Sequence, residues 1–379
     1  MHSRAHLNLI MSAPVLRIST YNILAQTLAT SRFFPYAGSA NLQAKTRVPR
    51  LSARLLGLNA DVIGITEAFP EALAALASHG YNVSLFASRE GRPYGVAIAF
   101  RSEVLELLGS ASADFDDVAD ALAGRQGAAP GGGGGGGAAA PELLTAEAFR
   151  TNSVALFAAL RLRSAPPGEG FFTVASTHLF WNPKFEPVKV AQAIALKRCA
   201  AEFSAAHAPP RAPLFAVGDF NSMPGSWVCD VLGARGGVPA VEGGAAAAAL
   251  VRGWDTWGGA PREGGAAEAW RERLRGALAK EAGLPLPAAR PPPGAAAAGG
   301  RGTLRSAYAL APGGENEITT NTATFAACID FVFVEEREVG GAPELLGVDA
   351  VPTKAQLQGP IPSAEEPSDH LPLVATFRL

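Results

Sequence analysis

The chain has 379 residues, of which 48% are hydrophobic and 17% charged, with 42 Gly and 29 Pro. That length holds one large domain or two ordinary ones, and the Gly and Pro surplus over the usual ~12% falls in two stretches, which excludes a collagen-like or wholly disordered chain. With 32 Lys and Arg against 34 Asp and Glu, a net charge of -2, the chain is not built to coat nucleic acid through bulk basicity.

Three cysteines, Cys199, Cys229 and Cys328, form no CxxC pair. Free thiols are expected, not a disulfide framework or a zinc site. No apolar run reaches about 18 residues, so no membrane span is expected. Residues 1–14 lack the apolar core of a signal peptide and are read as a short extension. The cytoplasm is the expected location, with the nucleus or an organelle as alternatives. Seven Lys and Arg but no acid precede Asp61, a pattern read as a solvated basic face on the first elements.

In chain order, VLRIST from Val15 reads as a strand ending in Tyr21-Asn22. After Pro49, Leu51, Leu55 and Leu58 have helical spacing. Asp61 to Glu67 is a buried strand ending in a lone acid, Pro70 to Gly80 a helix with Pro at its start and Gly past its end, and Gly95 to Phe100 a further strand. From Gly124 to Pro141, sixteen of eighteen residues are Gly, Ala or Pro, too few apolar side chains to offset ordering entropy. This stretch reads as a loop inside a domain, because strands resume at Asn152–Leu162 and Phe171–Thr177. A helix over Lys189–Ala206 and a strand over Leu214–Val217 follow, the latter running into Gly218-Asp219. Residues 234–302 form a second Ala, Gly and Pro-rich insert, with a helix expected around Ala267 to Lys280. Strands Cys328–Val334 and Leu371–Phe377 end the chain. The expected domain organisation is therefore one catalytic domain over 15–379 with two inserts. Short buried strands with few helices between them suggest a two-sheet α/β sandwich. No GxGxxG or GxxxxGK[ST] phosphate cradle occurs.

The polar residues fall at the strand ends. Asn22, Glu67, His178, Asp219 with Asn221, Asp330, and Asp369 with His370 each terminate or begin a core strand. One Asp or Asn after a strand is ordinarily a turn former. Repetition of suitable residues at almost every strand end is not. Hard divalent cations take oxygen ligands, which Glu67, Asp369 and the amide oxygen of Asn22 can supply.

Taken in order, Tyr21-Asn22-Ile23-Leu24-Ala25, Glu67, Thr177-His178-Leu179, Gly218-Asp219-Phe220-Asn221-Ser222, Ile329-Asp330-Phe331 and Pro367-Ser368-Asp369-His370-Leu371-Pro372-Leu373 resemble the motifs of the endonuclease/exonuclease/phosphatase superfamily. The phrase HLFWNPKFEPVKVAQ from His178 and the triplet Phe34-Pro35-Tyr36 resemble its carbon catabolite repressor-type deadenylases, with their nocturnin, Angel and 2′-phosphodiesterase relatives. The resemblance implies a four-layered α/β sandwich of two facing, mostly antiparallel sheets flanked by helices. It implies Mg²⁺, with Mn²⁺ as a substitute, held by Glu67 with Asn22 and Asp369, and Asp219 as the group that activates water and helps hold a second metal. It also implies Asn221 and His178 on the phosphate oxygens, His370 on the scissile phosphate oriented by Asp330, and an adenine stacked between Pro183 and Phe325. The other reading of Phe325 is an ordinary core aromatic.

Two departures stand out. Thr66 occupies the place of a common Gln before the metal Glu, and Ala323 stands where an aromatic is frequent. No leucine-rich docking repeat is present. The expected activity is a Mg²⁺-dependent 3′-exoribonuclease of deadenylase type, acting on single-stranded RNA 3′ ends and releasing 5′-AMP. The alternatives are a 2′,5′-phosphodiesterase or nucleotide phosphatase, and a catalytically inactive RNA-binding protein.

Overall fold

The computed structural model describes residues 14–89, 91–116, 151–233, 303–336 and 342–379. The inserts 124–141 and 234–302, with the helix expected near 267–280, lie outside them.

Two six-stranded sheets face each other. The first holds β1 (Val15–Asn22), β2 (Val62–Ala68), β3 (Tyr81–Ala87), β4 (Gly95–Arg101), β13 (Glu344–Val348) and β14 (Leu373–Arg378), in the order β13-β14-β1-β2-β4-β3. The second holds β5 (Leu105–Asp114), β6 (Val154–Leu162), β7 (Phe171–His178), β8 (Leu214–Asp219), β9 (Thr303–Ser306) and β12 (Asp330–Glu336), in the order β5-β6-β7-β8-β12-β9. Each sheet has one parallel pair at its centre, β1 with β2 and β7 with β8, and antiparallel pairs elsewhere. A short hairpin, β10 (Thr320–Asn321) and β11 (Ala326–Ala327), stands apart from both.

Side chains alternate across each strand, so a strand buried on both faces carries two different apolar sets. On β6, Leu156, Ala158 and Leu160 enter the core between the sheets, where Ile18, Val62, Val174, Val217 and Leu373 meet them. Ala155, Phe157 and Ala159 point the other way, toward Val190, Ala193 and Leu196 of the helix Glu186–His207. On the first sheet, Ile63 and Ile65 lie under Leu51 and Leu55 of the helix Ala44–Gly57 and Leu73 of the helix Pro70–Ala77. Helix, sheet, sheet and helix make the four layers expected.

Several expectations shift. The first long helix begins at Ala44, not after Pro49; Pro49 lies on its exposed side, as does Lys45, whose carbonyl loses its helical donor to the proline. The edge strands β3, β5, β9 and β13 were not among the expected elements. The basic surplus before Asp61 is partly structural, although Arg32 and Lys45 are exposed as expected. Arg47 is fully buried, Arg17 pairs with Asp349, and Arg54 pairs with Glu366.

Gly218 has φ of 144°, and a Cβ there would lie 2.0 Å from the Thr177 carbonyl oxygen. Backbone contact of that kind cannot be relieved by a rotamer change. Gly218→Ala is expected to cost about 2–4 kcal/mol of stability, measurable by urea denaturation; a loss under about 0.5 kcal/mol would contradict the close approach.

Candidate active site

The parallel pairs bring the C-terminal ends of four strands to one edge of the sandwich. β12 starts at that edge, and β14 starts just inside it. Register then sets neighbours: Asn22 lies beside Thr66, His178 beside Asp219, and Asp219 beside Asp330.

Glu67 is aimed by a break in the ladder. The β2–β4 register shifts between Thr66 and Ala68, and Glu67 has φ of 55°, the geometry by which a bulge redirects a side chain. Its carboxylate accepts hydrogen bonds from the Ala25 N–H (2.8 Å) and from Asn22 Nδ2 (3.3 Å). Asn22 Nδ2 also donates to Asp219 Oδ2 at 3.0 Å, which ties the first sheet to the second. The Asn22 amide oxygen is taken by the Leu24 N–H at 3.0 Å. Asn22 therefore turns its nitrogen to the carboxylates and bridges them, where the sequence suggested an oxygen ligand.

Asp219 is the hub. Its Oδ1 accepts from the Asn221 N–H (2.9 Å), and its Oδ2 lies 3.4 Å from His178 Nε2 and 3.8 Å from His370 Nε2. Asn221, at φ 47°, donates through Nδ2 to the Leu179 carbonyl and so joins the Asp219 turn to the His178 loop. His370 donates through Nδ1 to Asp330 Oδ2 at 2.8 Å, which leaves Nε2 facing Asp219. Burial opposes a charge on His370, but Asp330, Asp369 and Asp219 outweigh it and hold the imidazole well above its ordinary value. The Asp369 carboxyl is pushed up to about 6, by burial first; His370 opposes the shift, and Glu67 and Asp219 add to it.

Four residues outside the expected set hold these groups. The Thr319 hydroxyl donates to Asp330 Oδ2 (2.6 Å) and accepts from the Asp330 N–H. Ser368 donates to the Asn22 carbonyl at 2.7 Å. Buried Lys189 donates to the Asn221 carbonyl (2.6 Å), and Gln192 accepts from the Phe180 N–H. Lys189 and Gln192 lie three residues apart on one helix face in the HLFWNPKFEPVKVAQ phrase, which was the signal available in the sequence. Thr66 is buried with its hydroxyl unpartnered and makes no contact with Glu67 that would replace a Gln.

Pro183 and Phe325 do not join this cluster directly. Both are exposed, Phe325 at 49%, which removes its core reading. Phe325 sits in the turn of the β10–β11 hairpin, and that hairpin is bonded to the Asp369–His370 segment. Thr320 pairs with His370, and its hydroxyl donates to the Asp369 carbonyl at 2.7 Å. Pro183 opens a single helical turn, five residues after His178.

The model of the Endonuclease/Exonuclease/phosphatase family matches residues 19–370. The chain belongs to that family. It is 24% identical to the carbon catabolite repressor protein 4 homolog 4 of Arabidopsis thaliana, over 98% of this chain and 79% of that protein. It is 28% identical to a probable RNA exonuclease of Schizosaccharomyces pombe, over 56% of this chain and 38% of that protein. Its fold is similar to ANGEL2, described as a 2′,3′-cyclic phosphatase, with a TM-score of 0.63 and 20% identity over 97% of this chain and 96% of that one. As a member of the Endonuclease/Exonuclease/phosphatase family, the chain is a hydrolase of phosphate esters.

A metal ion suits the residues present. Glu67, Asp219 and Asp369 are hard oxygen donors, and Asp369 is pushed up first by burial and then by Glu67 and Asp219, costs that a bound divalent cation would offset. Asp219, Asp330 and His370 also lie within 4.8 Å of one another, but Asp330 and His370 are engaged with each other. No described helix is long and apolar enough to cross a membrane.

Proposed function

We propose that the protein is a Mg²⁺-dependent 3′-exoribonuclease of deadenylase type, removing nucleotides from adenylate-rich 3′ ends of single-stranded RNA as 5′-AMP. The observation that supports it best is Phe325, a half-exposed aromatic on a hairpin hydrogen-bonded to the Asp369–His370 segment. A ring face held at a fixed position beside a phosphate-ester site suits a nucleobase.

Glu67 and Asp369, with Asp219 opposite, would hold Mg²⁺, or Mn²⁺ in its place. When bound, the ion neutralises phosphate oxygens and acidifies water. Asp219 takes a proton from the attacking water. The water oxygen bonds to phosphorus as the bond to the 3′ oxygen of the preceding nucleotide breaks, and that oxygen takes a proton from solvent water and leaves as a 3′-hydroxyl. His370, charged and oriented by Asp330, donates through Nε2 to a phosphate oxygen. His178 and Asn221 meet the remaining non-bridging oxygen, and Asn22 keeps Glu67 and Asp219 in place.

The test uses 5′-labelled A-tailed RNA, the same RNA without an A tail, RNA ending in a 2′,3′-cyclic phosphate, 2′,5′-oligoadenylate and NADPH, each with Mg²⁺ or EDTA. A-tailed RNA is expected to shorten from its 3′ end with release of 5′-AMP, and EDTA to stop it. Product from only one of the other substrates would overturn the assignment, and no product from any would overturn the enzyme itself. Phe325→Ala is expected to raise KM for A-tailed RNA by about 5- to 150-fold with kcat within about twofold, the equivalent of ~1–3 kcal/mol of stacking; an unchanged KM would count against base binding there.

A further inference from the structure

Arg47 is among the largest fully buried side chains of the described residues, at 0% exposure. A buried guanidinium is costly unless its donors are satisfied, so its partners are informative. Nη1 donates to the Ile23 carbonyl (2.9 Å) and to the Pro367 carbonyl (3.2 Å). Nη2 donates to the Leu24 carbonyl (2.6 Å), and Nε to Gln26 Oε1 (3.1 Å). Its carbon lies 5.6 Å from the Phe69 ring centroid. Every one of these hydrogen bonds goes to an uncharged acceptor.

The acceptors belong to two segments. Ile23 and Leu24 follow Asn22, and the next residue, Ala25, donates to Glu67. Pro367 precedes Ser368, whose hydroxyl holds the Asn22 carbonyl, and Asp369 comes next. One planar fork therefore joins the loop that fixes Asn22 and Glu67 to the loop that carries Asp369. The helix Ala44–Gly57 supplies the fork from the outer layer, behind both loops.

We infer that Arg47 is a positioning residue for the metal-binding carboxylates: it sets the spacing between Glu67 and Asp369 by clamping the loops on which both depend. This rests on the reading of that cluster as a metal site. The sign of the effect separates positioning from charge. Arg47 is a cation among anions that would bind a cation, so its charge alone weakens metal binding. Removing it should strengthen binding if charge is all it contributes, and weaken binding if it sets geometry. Groups that orient ligands typically govern about 10- to 100-fold in metal affinity.

The test is Mn²⁺ binding to the full chain without substrate, followed by electron paramagnetic resonance, with the unfolding midpoint of each variant recorded. Arg47→Met and Arg47→Lys are both expected to raise the Mn²⁺ Kd by about tenfold or more, the second because one ammonium cannot span three carbonyls from two loops. Leu51→Ala, on the same helix and in the core beneath it, should lower the unfolding midpoint and leave the Kd unchanged. If Arg47→Met does not fold, Arg47→Lys and Gln26→Ala carry the comparison, with Gln26→Ala expected to raise the Kd by a smaller factor. An unchanged or lowered Kd in the folded Arg47 variants would overturn the positioning role alone. Absence of Mn²⁺ binding in the unaltered protein would overturn the metal site and this role together.

Discussion

Asp219→Ala is expected to reduce kcat by about 10³-fold or more while moving the unfolding midpoint by only a few degrees. The Asp219 carboxylate is at once the proposed proton acceptor, a candidate metal ligand and the anion facing both His178 and His370. Loss of a positioned base is worth about 10²–10⁴-fold, and loss of a preorganised charge a similar factor. The fold has less at stake. Two hydrogen bonds, from Asn221 N–H and Asn22 Nδ2, are lost, but so is one member of a crowded group of carboxylates. Activity and thermal unfolding measured on the same preparation decide the matter. Turnover within tenfold of the unaltered enzyme would sink the assigned role, and a collapsed midpoint would move the effect from chemistry to folding.

Asp330→Asn should lower kcat by about 10²–10⁴-fold. Asp330 Oδ2 accepts from both His370 Nδ1 and the Thr319 hydroxyl, whereas Oδ1 is buried and has no partner. An amide has only poor choices there. It either points N–H₂ at two donors or buries N–H₂ unbonded, a cost of about 1–3 kcal/mol. In the first case His370 loses its orientation, and in both it loses the adjacent negative charge that favours imidazolium. KM for RNA should change much less than kcat, because Thr320 still holds the hairpin that carries Phe325 to the Asp369–His370 segment, and the Thr319 hydroxyl still accepts from the Asp330 N–H. A kcat loss below about tenfold, or an effect confined to KM, would contradict this arrangement.

Several candidate site residues were legible because they stand at the end of a strand that is buried along most of its length. Asn22, His178 and Asp219 end β1, β7 and β8, and Asp330 begins β12. The four edge strands were not legible for the converse reason. β5 and β13 are half exposed and carry Ser, Gly, Ala and Glu between their apolar positions, so neither the alternating nor the continuous signature of a strand is present. Arg47 and Thr319 could not be read as site residues, since each bonds to a partner that only the tertiary structure supplies. Pro367, an acceptor for Arg47, is 320 residues away in sequence. The Asn22 amide shows a finer limit. The structure places it in the cluster, but its orientation depends on the Leu24 N–H, a local turn contact that composition does not encode. Phe325 had two readings on sequence alone, and its exposure removed one of them.

The two sheets share the site unequally but inseparably. One contributes Asn22 and Glu67 and leads to Asp369 and His370; the other contributes His178, Asp219, Asn221 and Asp330. Gly64 lies at their interface, where a Cβ would come within 2.3 Å of the Val217 side chain. The sheets are packed there almost as closely as backbone and side chain allow. A slide of one sheet by a single residue step, about 3.3 Å, would part Asn22 from Asp219 completely. The apolar interior, which contains no reacting group, thus works as the alignment gauge of the enzyme, and its packing tolerance is also the tolerance of the chemistry.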